Sequence, residues 1–369
     1  MNSQRIEFFL RAAIVLSLLL FAGGGFNGYK DIDKRFFVVS MGVDEGKNGM
    51  PFEVTLKLAI PQPDPKAGKN DFLLLTREAH TIGAAVAFMK SQVDKEFDFG
   101  HMKLVVIGDS LAKRDWMETM DWFFRRRDIQ KVAFVAVGRP DAKTILQVKP
   151  MFENLPSNAY FLAFGDEGTE SPYVVTEYLF DLLRRFQERG IDPVVPIIEP
   201  FKEQFEIQKA YVTARAGTKL QLDLKETGLY SILLQRTARA TLSTLRGDDS
   251  FSVTADEIRV RYELKDDADK PYIAIRGDIV GVLETVDQSV EPNELERYER
   301  GLEKQLNEDM IAFVRKLQRE QVDPIGFGLR YRATHWNNDT EWEEWKGLYP
   351  KLDVRSDIRV ILETTGVIE

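Results

Sequence analysis

Gly108-Asp109-Ser110-Leu111 follows an apolar run at 103–107 and copies the nucleophile block of GDSL-type ester hydrolases. A serine nucleophile needs a base within hydrogen-bond reach and a carboxylate to orient that base. In those enzymes both stand near the C-terminus as Asp-x-x-His, whereas here the matching place holds Arg332-Ala333-Thr334-His335, without the acid. Asp98 and His101 have the right spacing but precede the strand that Ser110 follows. At about 3.3 Å per residue, that strand sets His101 and Ser110 roughly 20 Å or more apart. Asp109 and Ser110 are better read as a cap on the following helix. With zero cysteines, thiolate nucleophiles, thiolate metal sites and disulfides are excluded, and only His80, His101 and His335 remain for acid-base or metal work. They are dispersed, with no HExxH spacing and no EF-hand ladder. Residues 44–49 carry Asp, Glu, Asn and Gly but read as a solvated hairpin turn, and Gly23 to Gly25 lack the strand before and the Lys-Ser after that a phosphate loop needs. The sequence therefore assigns no catalytic, cofactor-binding or metal-ligating residue. Arg125, Arg126 and Arg127 end a helical pattern and complement its dipole, with an anion or lipid headgroup as the sharper reading.

Charge excludes another class. Fifty Lys and Arg stand against 59 Asp and Glu, a net charge of -9 without a basic block after the N-terminus, so no nucleic-acid partner is expected. Arg5 and Arg11 bracket the start of an apolar run at 12–22 that stops at Gly23-Gly24-Gly25. A full span takes roughly 20 apolar residues, so residues 1–27 read as a signal peptide or a short N-terminal membrane anchor. Either reading places the rest of the chain outside the cytoplasm.

The elements that would position these residues follow from periodicity. Residues 36–43 and 52–60 read as two strands joined through Asn48-Gly49. The proline-rich stretch at 61–70 reads as a loop. Strand, helix, strand, helix, strand then follow from 72 to 138, with Thr81 as an N-cap and Trp116, Met120, Phe123 and Phe124 as a helix face. Residues 150–172 form an irregular connection, and a helix carrying Val175, Leu179, Leu182, Leu183 and Phe186 stops at Gly190. The prolines at 193, 196 and 200 make 191–200 an extended inter-domain linker. Beyond it, alternation at Leu220, Leu222 and Leu224, long strands at 252–264 and 272–283, a terminal strand at 354–362, and one amphipathic helix over 293–321 build a second unit. The expected fold is α+β (mixed α/β) and multi-domain, with mixed sheets flanked by helices: 28–200 is an N-terminal α/β region, divisible into two subdomains, and 201–369 is a C-terminal α+β domain whose curved antiparallel sheet packs on the long helix.

Several segments taken in order resemble the Ger(x)C family, the C subunits of nutrient germinant receptors in endospore-forming bacteria. They are Lys30-Asp31-Ile32, Met41-Gly42-Val43-Asp44, Thr81-Ile82, the run from His101 to Gly108 with Leu111-Ala112, Phe124-Arg125-Arg126, Asp323-Pro324-Ile325-Gly326-Phe327-Gly328, and Trp342 through Tyr349-Pro350 to Leu352-Asp353-Val354, down to Thr365-Gly366. The resemblance implies a non-enzymatic receptor subunit on the outer face of the spore inner membrane, beside two multi-pass subunits of A type and permease-like B type, taking part in sensing or relaying a small-molecule germinant. It implies partner contacts near His101, at Phe124, Arg125, Arg126 and Arg127, and at Pro324, Gly326, Phe327 and Gly328, and no cofactor. Family members usually carry a lipobox cysteine where this chain has residues 23–26, so attachment here falls to the N-terminal segment kept as an anchor rather than to lipidation, or else the receptor partners hold a cleaved subunit in place. The competing readings are a free-standing exported solute-binding protein and a GDSL-type esterase using Ser110.

Overall fold

The computed structural model describes residue 13 and residues 34–59, 72–114, 116–149, 163–164, 171–214, 217–234, 239–244, 251–265, 270–286, 294–337 and 340–363. The N-terminal apolar segment, the loop at 61–70, most of 150–170 and Thr365-Gly366 lie outside them. Two mixed sheets flanked by helices make up the fold.

The first sheet has nine strands: β1 Arg35–Glu45, β2 Phe52–Ala59, β3 Phe72–Ala79, β4 Glu96–Asp98, β5 Leu104–Gly108, β6 Phe134–Gly138, β7 Val194–Phe201, β8 Gln204–Ala214 and β9 Gly217–Leu222. Their order is β3-β2-β1-β5-β6-β7-β8-β9, with β4 beside the start of β1. β1 and β2 form a hairpin through Asn48 and Gly49, both left-handed (φ 55° and 82°), as an Asn-Gly turn requires. β1, β5, β6 and β7 run parallel. The central strands β5 and β6 are buried at every position, and parity explains why: Val105, Ile107, Val135 and Val137 face one core, Leu104, Val106, Phe134 and Ala136 the other. A strand covered on both faces reads as an unbroken apolar run. The covers on one side are α1 Ile82–Lys90, α2 Asp109–Ala112, α3 Met117–Arg125 and α5 Leu179–Gln187; on the other, α4 Ala142–Gln147. Thr81 caps α1, its hydroxyl accepting from Ala84 N at 3.1 Å.

Residues 191–200, read as a linker, are not one. From Val194 they form β7, paired along β8 and buried at Val194, Val195, Ile197 and Ile198. The prolines fit a strand at this place in the sheet. β7 meets β6 only at Ile197 and Ile198, so Pro196 and Pro200 have no bond to β6 to forfeit. Likewise Leu220 and Leu222 belong to β9 of the first sheet, while Leu224 opens α6 Leu224–Leu233 behind a capping box of Asp223 and Glu226.

The second sheet is β10 Ala240–Thr244, β11 Phe251–Lys265, β12 Tyr272–Val286 and β13 Asp353–Leu362. The first three are antiparallel, with β-bulges along β11. β13 is parallel to β12, so the sheet is mixed rather than wholly antiparallel. The reason is the long crossover, made by α7 Leu295–Arg319, α8 Phe327–Thr334 and α9 Thr340–Leu348. α7 buries Leu302, Leu306, Met310, Phe313, Val314 and Leu317 on the sheet. Its flank also closes the edge of β13: Glu299, Glu303 and Asn307 accept from the N–H groups of Leu362, Val360 and Ile358 at 2.8, 3.0 and 2.8 Å. Four helix residues advance about 6 Å and two strand residues about 6.7 Å, so every fourth side chain meets every second amide. The edge is thereby unavailable for strand addition.

The two sheets share one core. Val194, Ala210, Val212 and Leu222 of the first pack in the same cluster as Ile258, Val260, Ile275, Met310, Phe313 and Trp345 of the second unit.

Candidate functional site

Among the described residues, no histidine and carboxylate are arranged as a triad around the esterase-like serine. Gly108, not Asp109 or Ser110, is the N-cap of α2, and Ser110 is exposed in its first turn. Asp109 is committed elsewhere: its Oδ1 accepts from Tyr211 Oη at 2.7 Å and from Arg139 Nη2 at 3.2 Å, and its Oδ2 from Lys113 at 2.6 Å. Arg139 also donates to Tyr211 Oη, to Glu199 at 3.1 Å and to Gln221 at 3.0 Å. This network ties the ends of β5 and β6 to β7, β8 and β9. Burial works to raise the Asp109 carboxyl, but bonds from Lys113 and Tyr211 and the Arg139 charge hold it below the ordinary range. Burial and the Asp109 carboxylate push Tyr211 up to about 12. His101 stands before β5, at the other end from Ser110, and His335 ends α8, stacked on Tyr331 with ring centroids 4.1 Å apart. Among the described residues no group of three or more His, Asp or Glu is placed to hold a metal ion.

Asp44, read as part of a solvated turn, is instead buried at the end of β1. Its carboxylate accepts from Ala142 N at 2.7 Å and Lys143 N at 2.9 Å, capping α4 from outside that helix. Burial outweighs those bonds and pushes it up to about 6.

The residues singled out as partner contacts divide into two groups. His101, Phe124, Arg125, Arg126 and Arg127 come together at the end of the first sheet where β1 begins. Arg125 ends α3 and reaches back to Asp121 at 2.5 Å. Arg126 lies over the rings of Phe99 and Trp122, 4.6 and 4.9 Å from their centroids, with Nε 2.8 Å from Asp128. Lys131 takes up the carbonyls of Phe123 and Arg126 at 2.8 and 2.7 Å, closing the helix end. Arg127 is exposed. His101, 66% exposed, meets Phe37 edge-on at 4.9 Å and stands 3.7 Å from Asp98, which holds Arg35 at 2.5 Å and Gly100 N at 2.8 Å. Phe124 is half-buried against the core.

Pro324, Gly326, Phe327 and Gly328 are, by contrast, buried within the chain. They belong to a joint between the two units. Asp323 Oδ1 accepts from Gly326 N at 2.8 Å and Phe327 N at 3.1 Å, and Oδ2 from Gly328 N at 2.6 Å, so one carboxylate serves the first turn of α8. Asp192 reciprocates across the joint: its carboxylate accepts from Asp323 N at 2.6 Å and its own N–H donates to Asp323 O at 2.8 Å. Gly190, at φ 90°, lies so close to Gly328 and Leu329 that a Cβ there would strike backbone, and Leu329 N donates to Gly190 O at 2.8 Å. Arg185, 5% exposed, donates to the carbonyls of Asp192 and Pro324, both at 3.2 Å, and to Asp181 at 3.0 Å, with Glu177 at 3.9 Å. Beside the joint a cavity of about 420 Å³ is lined by Asp192, Asp323, Trp342, Trp345 and Tyr349. The Asp-x-x-Gly spacing of 323–326 was the available sign of a helix start, and Arg185, three residues after Leu182 on the apolar stripe of α5, was the sign of a buried cation.

Burial pushes Asp323 up to about 7, opposed by the amides of Gly328, Gly326 and Phe327 and reinforced by Asp192. The unfolded carboxyl loses its proton near pH 4, the folded one near 7. The folded state thus binds the extra proton between those values, and this group's stabilisation, complete at low pH, is lost as pH rises to about 7 and is flat above. In Asp323→Asn the fall in thermal midpoint that this carboxyl causes between pH 5 and 7 is expected to vanish. Calorimetry of both proteins across pH 5–8 measures it, and parallel curves would rule it out.

Two family models cover the chain: the spore germination protein N-terminal domain matches residues 28–200, and the spore germination B3/GerAC-like C-terminal domain matches 217–366. The chain belongs to the Ger(x)C family of spore germinant-receptor C subunits. Among curated relatives, the putative spore germination protein YfkR of Bacillus subtilis (strain 168) is 21% identical over 92% of each chain. Spore germination protein KC of the same organism is 23% identical over 79% of this chain and 78% of its own. The crystal structure of the GerBC protein has the same fold, with TM-score 0.54 at 17% identity over 88% of this chain and 96% of that one. For this Ger(x)C chain, no helix among the described residues is long and apolar enough to cross a membrane.

Proposed function

We propose that this Ger(x)C chain is the C subunit of a nutrient germinant receptor, acts without chemistry of its own, and stands on the outer face of the spore inner membrane. It takes part there in sensing or relaying the germinant signal through two multi-pass partner subunits. The family match along nearly the whole chain carries the reading. The commitment of Asp109 to a stitching network, away from Ser110, supports the absence of chemistry. The apolar segment at 12–22 serves as the tether. β1 begins at Arg35, and the same end of the first sheet carries Phe124, Arg125, Arg126, Arg127 and His101, so that end faces the membrane and the partner subunits.

Deletion in the sporulating host, in a strain without paralogous receptors, is expected to abolish germination with at least one nutrient. His101→Glu combined with Arg127→Glu, both exposed and inexpensive to the fold, is expected to slow it. Normal germination of the deletion strain with every nutrient would overturn the function. A double variant germinating as wild type would remove this face from it.

A further inference from the structure

The turn that leads into β6 and the first turn of α5 together carry an apolar tip. Val132 is 57% exposed and Phe180 47% exposed. Two backbone bonds clamp the segments side by side: Leu179 N donates to Ala133 O and Phe180 N to Lys131 O, both at 2.9 Å. The Phe180 ring is the outer member of a row that runs inward through Tyr178 and Phe134 to Phe164, with successive centroids 5.5, 5.0 and 5.4 Å apart. Phe134 and Phe164 are each 2% exposed, so the row is rooted in the core and holds its outer ring at the surface. Apolar surface fixed in this way costs free energy for as long as it faces water.

The charges around the tip suit an anionic surface. Arg127 is exposed at the start of the same turn. The acids flanking the tip in sequence are held by cations: Asp128 by Arg126, Nε to Oδ1 2.8 Å, and Asp181 by Arg184 and Arg185 at 2.8 and 3.0 Å. Apolar tips with a cation beside them are what a bilayer interface takes up, the apolar part below the headgroups and the cation on their phosphates.

The place of the tip in the fold names the occupant. β5 and β6 run parallel to β1, so the turn before β6 lies at the end where β1 opens with Arg35. Residues 23–33 reach at most about 40 Å even fully extended. An apolar segment at 12–22 lodged in a bilayer therefore keeps this end close to the headgroups, whereas the hairpin carrying Lys47 lies about 30 Å further along β1. A segment short of a full span is a marginal anchor, and stable attachment takes a second contact.

We propose that Val132 and Phe180 form an apolar wedge that enters the headgroup region of an anionic bilayer, with Arg127 on the lipid phosphates. The wedge rests on the receptor reading for the end that faces the membrane. It is tested on vesicles without partner subunits, so its failure is distinct from failure of that reading, which the deletion strain decides.

Because the chain has no cysteine, Val132→Cys, Phe180→Cys and Lys47→Cys each create a single labelling position. All three residues are exposed, and Lys47 stands at the opposite end. The full-length proteins carry a nitrobenzoxadiazole label on vesicles of phosphatidylcholine and phosphatidylglycerol, with or without nitroxide on the acyl chains near the headgroup. The nitroxide is expected to quench the labels at 132 and 180 at least twofold and to leave the label at 47 unchanged. Arg127→Glu in the labelled Val132→Cys chain is expected to halve the quenching. An unquenched label at 132 or 180 on folded, vesicle-bound protein overturns the wedge and leaves the patch to a protein partner. Equal quenching at 47 overturns it as well, because the chain then presents no preferred face. Quenching unaffected by Arg127→Glu overturns the part given to the arginine.

Discussion

Replacing Asp323 by alanine is expected to destabilise the protein by about 3 kcal/mol and to separate the unfolding of its two units. Three buried amides, those of Gly326, Phe327 and Gly328, lose their acceptor at once. Each buried donor left unsatisfied costs about 1–3 kcal/mol, and loss of a helix cap about 0.5–2 kcal/mol. Those costs are partly offset because a buried carboxylate pressed against Asp192 no longer has to be desolvated. The balance stays on the side of destabilisation, since alanine supplies no acceptor. Asp323→Asn keeps one oxygen for the Gly326 and Phe327 amides while turning an NH2 group toward Gly328 N, and should fall between the two. Urea unfolding followed by fluorescence measures the effect in backgrounds that keep a single tryptophan, Trp345 reporting from the joint or Trp116 from the first sheet. A loss under 1 kcal/mol in the alanine variant, or coincident transitions for both tryptophans, would show that the carboxylate does not hold the joint.

That joint is also where the sequence was hardest to read. Elements whose signal is periodic within one segment were legible: α7 from its apolar face, β11 and β12 from their length, the β1–β2 hairpin from Asn48-Gly49, and α1 from Thr81. What failed depended on partners far along the chain. Pro196 argues against a strand until β6 is seen to reach only Ile197 and Ile198. Nothing local to Asp323-Pro324-Ile325-Gly326 marks its burial until Gly190 is found against Gly328, 138 residues away in sequence by their numbers. Asp109, Arg139 and Tyr211 lie at separations of 30, 72 and 102 residues, and no local pattern marks them as one network. The same distance in sequence that hid these contacts makes them the ties between the two units. Sequence reading placed His101 and Arg125 to Arg127 at helix and strand ends, and only tertiary structure brought them to one face.

Arg185→Met is expected to cost about 3–5 kcal/mol, the range for breaking a buried charge cluster by removing one partner. The guanidinium is nearly inaccessible and bonds in three directions: along α5 to Asp181, to Asp192 O just before β7, and across the joint at Pro324 O. Methionine fills much of the same volume, so the loss comes from two carbonyls without their donor and from Glu177 and Asp181 without the cation. Arg125→Met is the control, because its pair with Asp121 is exposed at 79% and 47% and such pairs contribute about 0–1 kcal/mol. The double variant Arg185→Met with Glu177→Gln removes the buried anion along with its cation. It is expected to recover at least about 1 kcal/mol over the single variant, since contacting charges are not additive. Denaturant midpoints of the four proteins settle the matter: equal losses for Arg185→Met and Arg125→Met, or no recovery in the double variant, would mean that packing of the stem rather than the charge holds the joint.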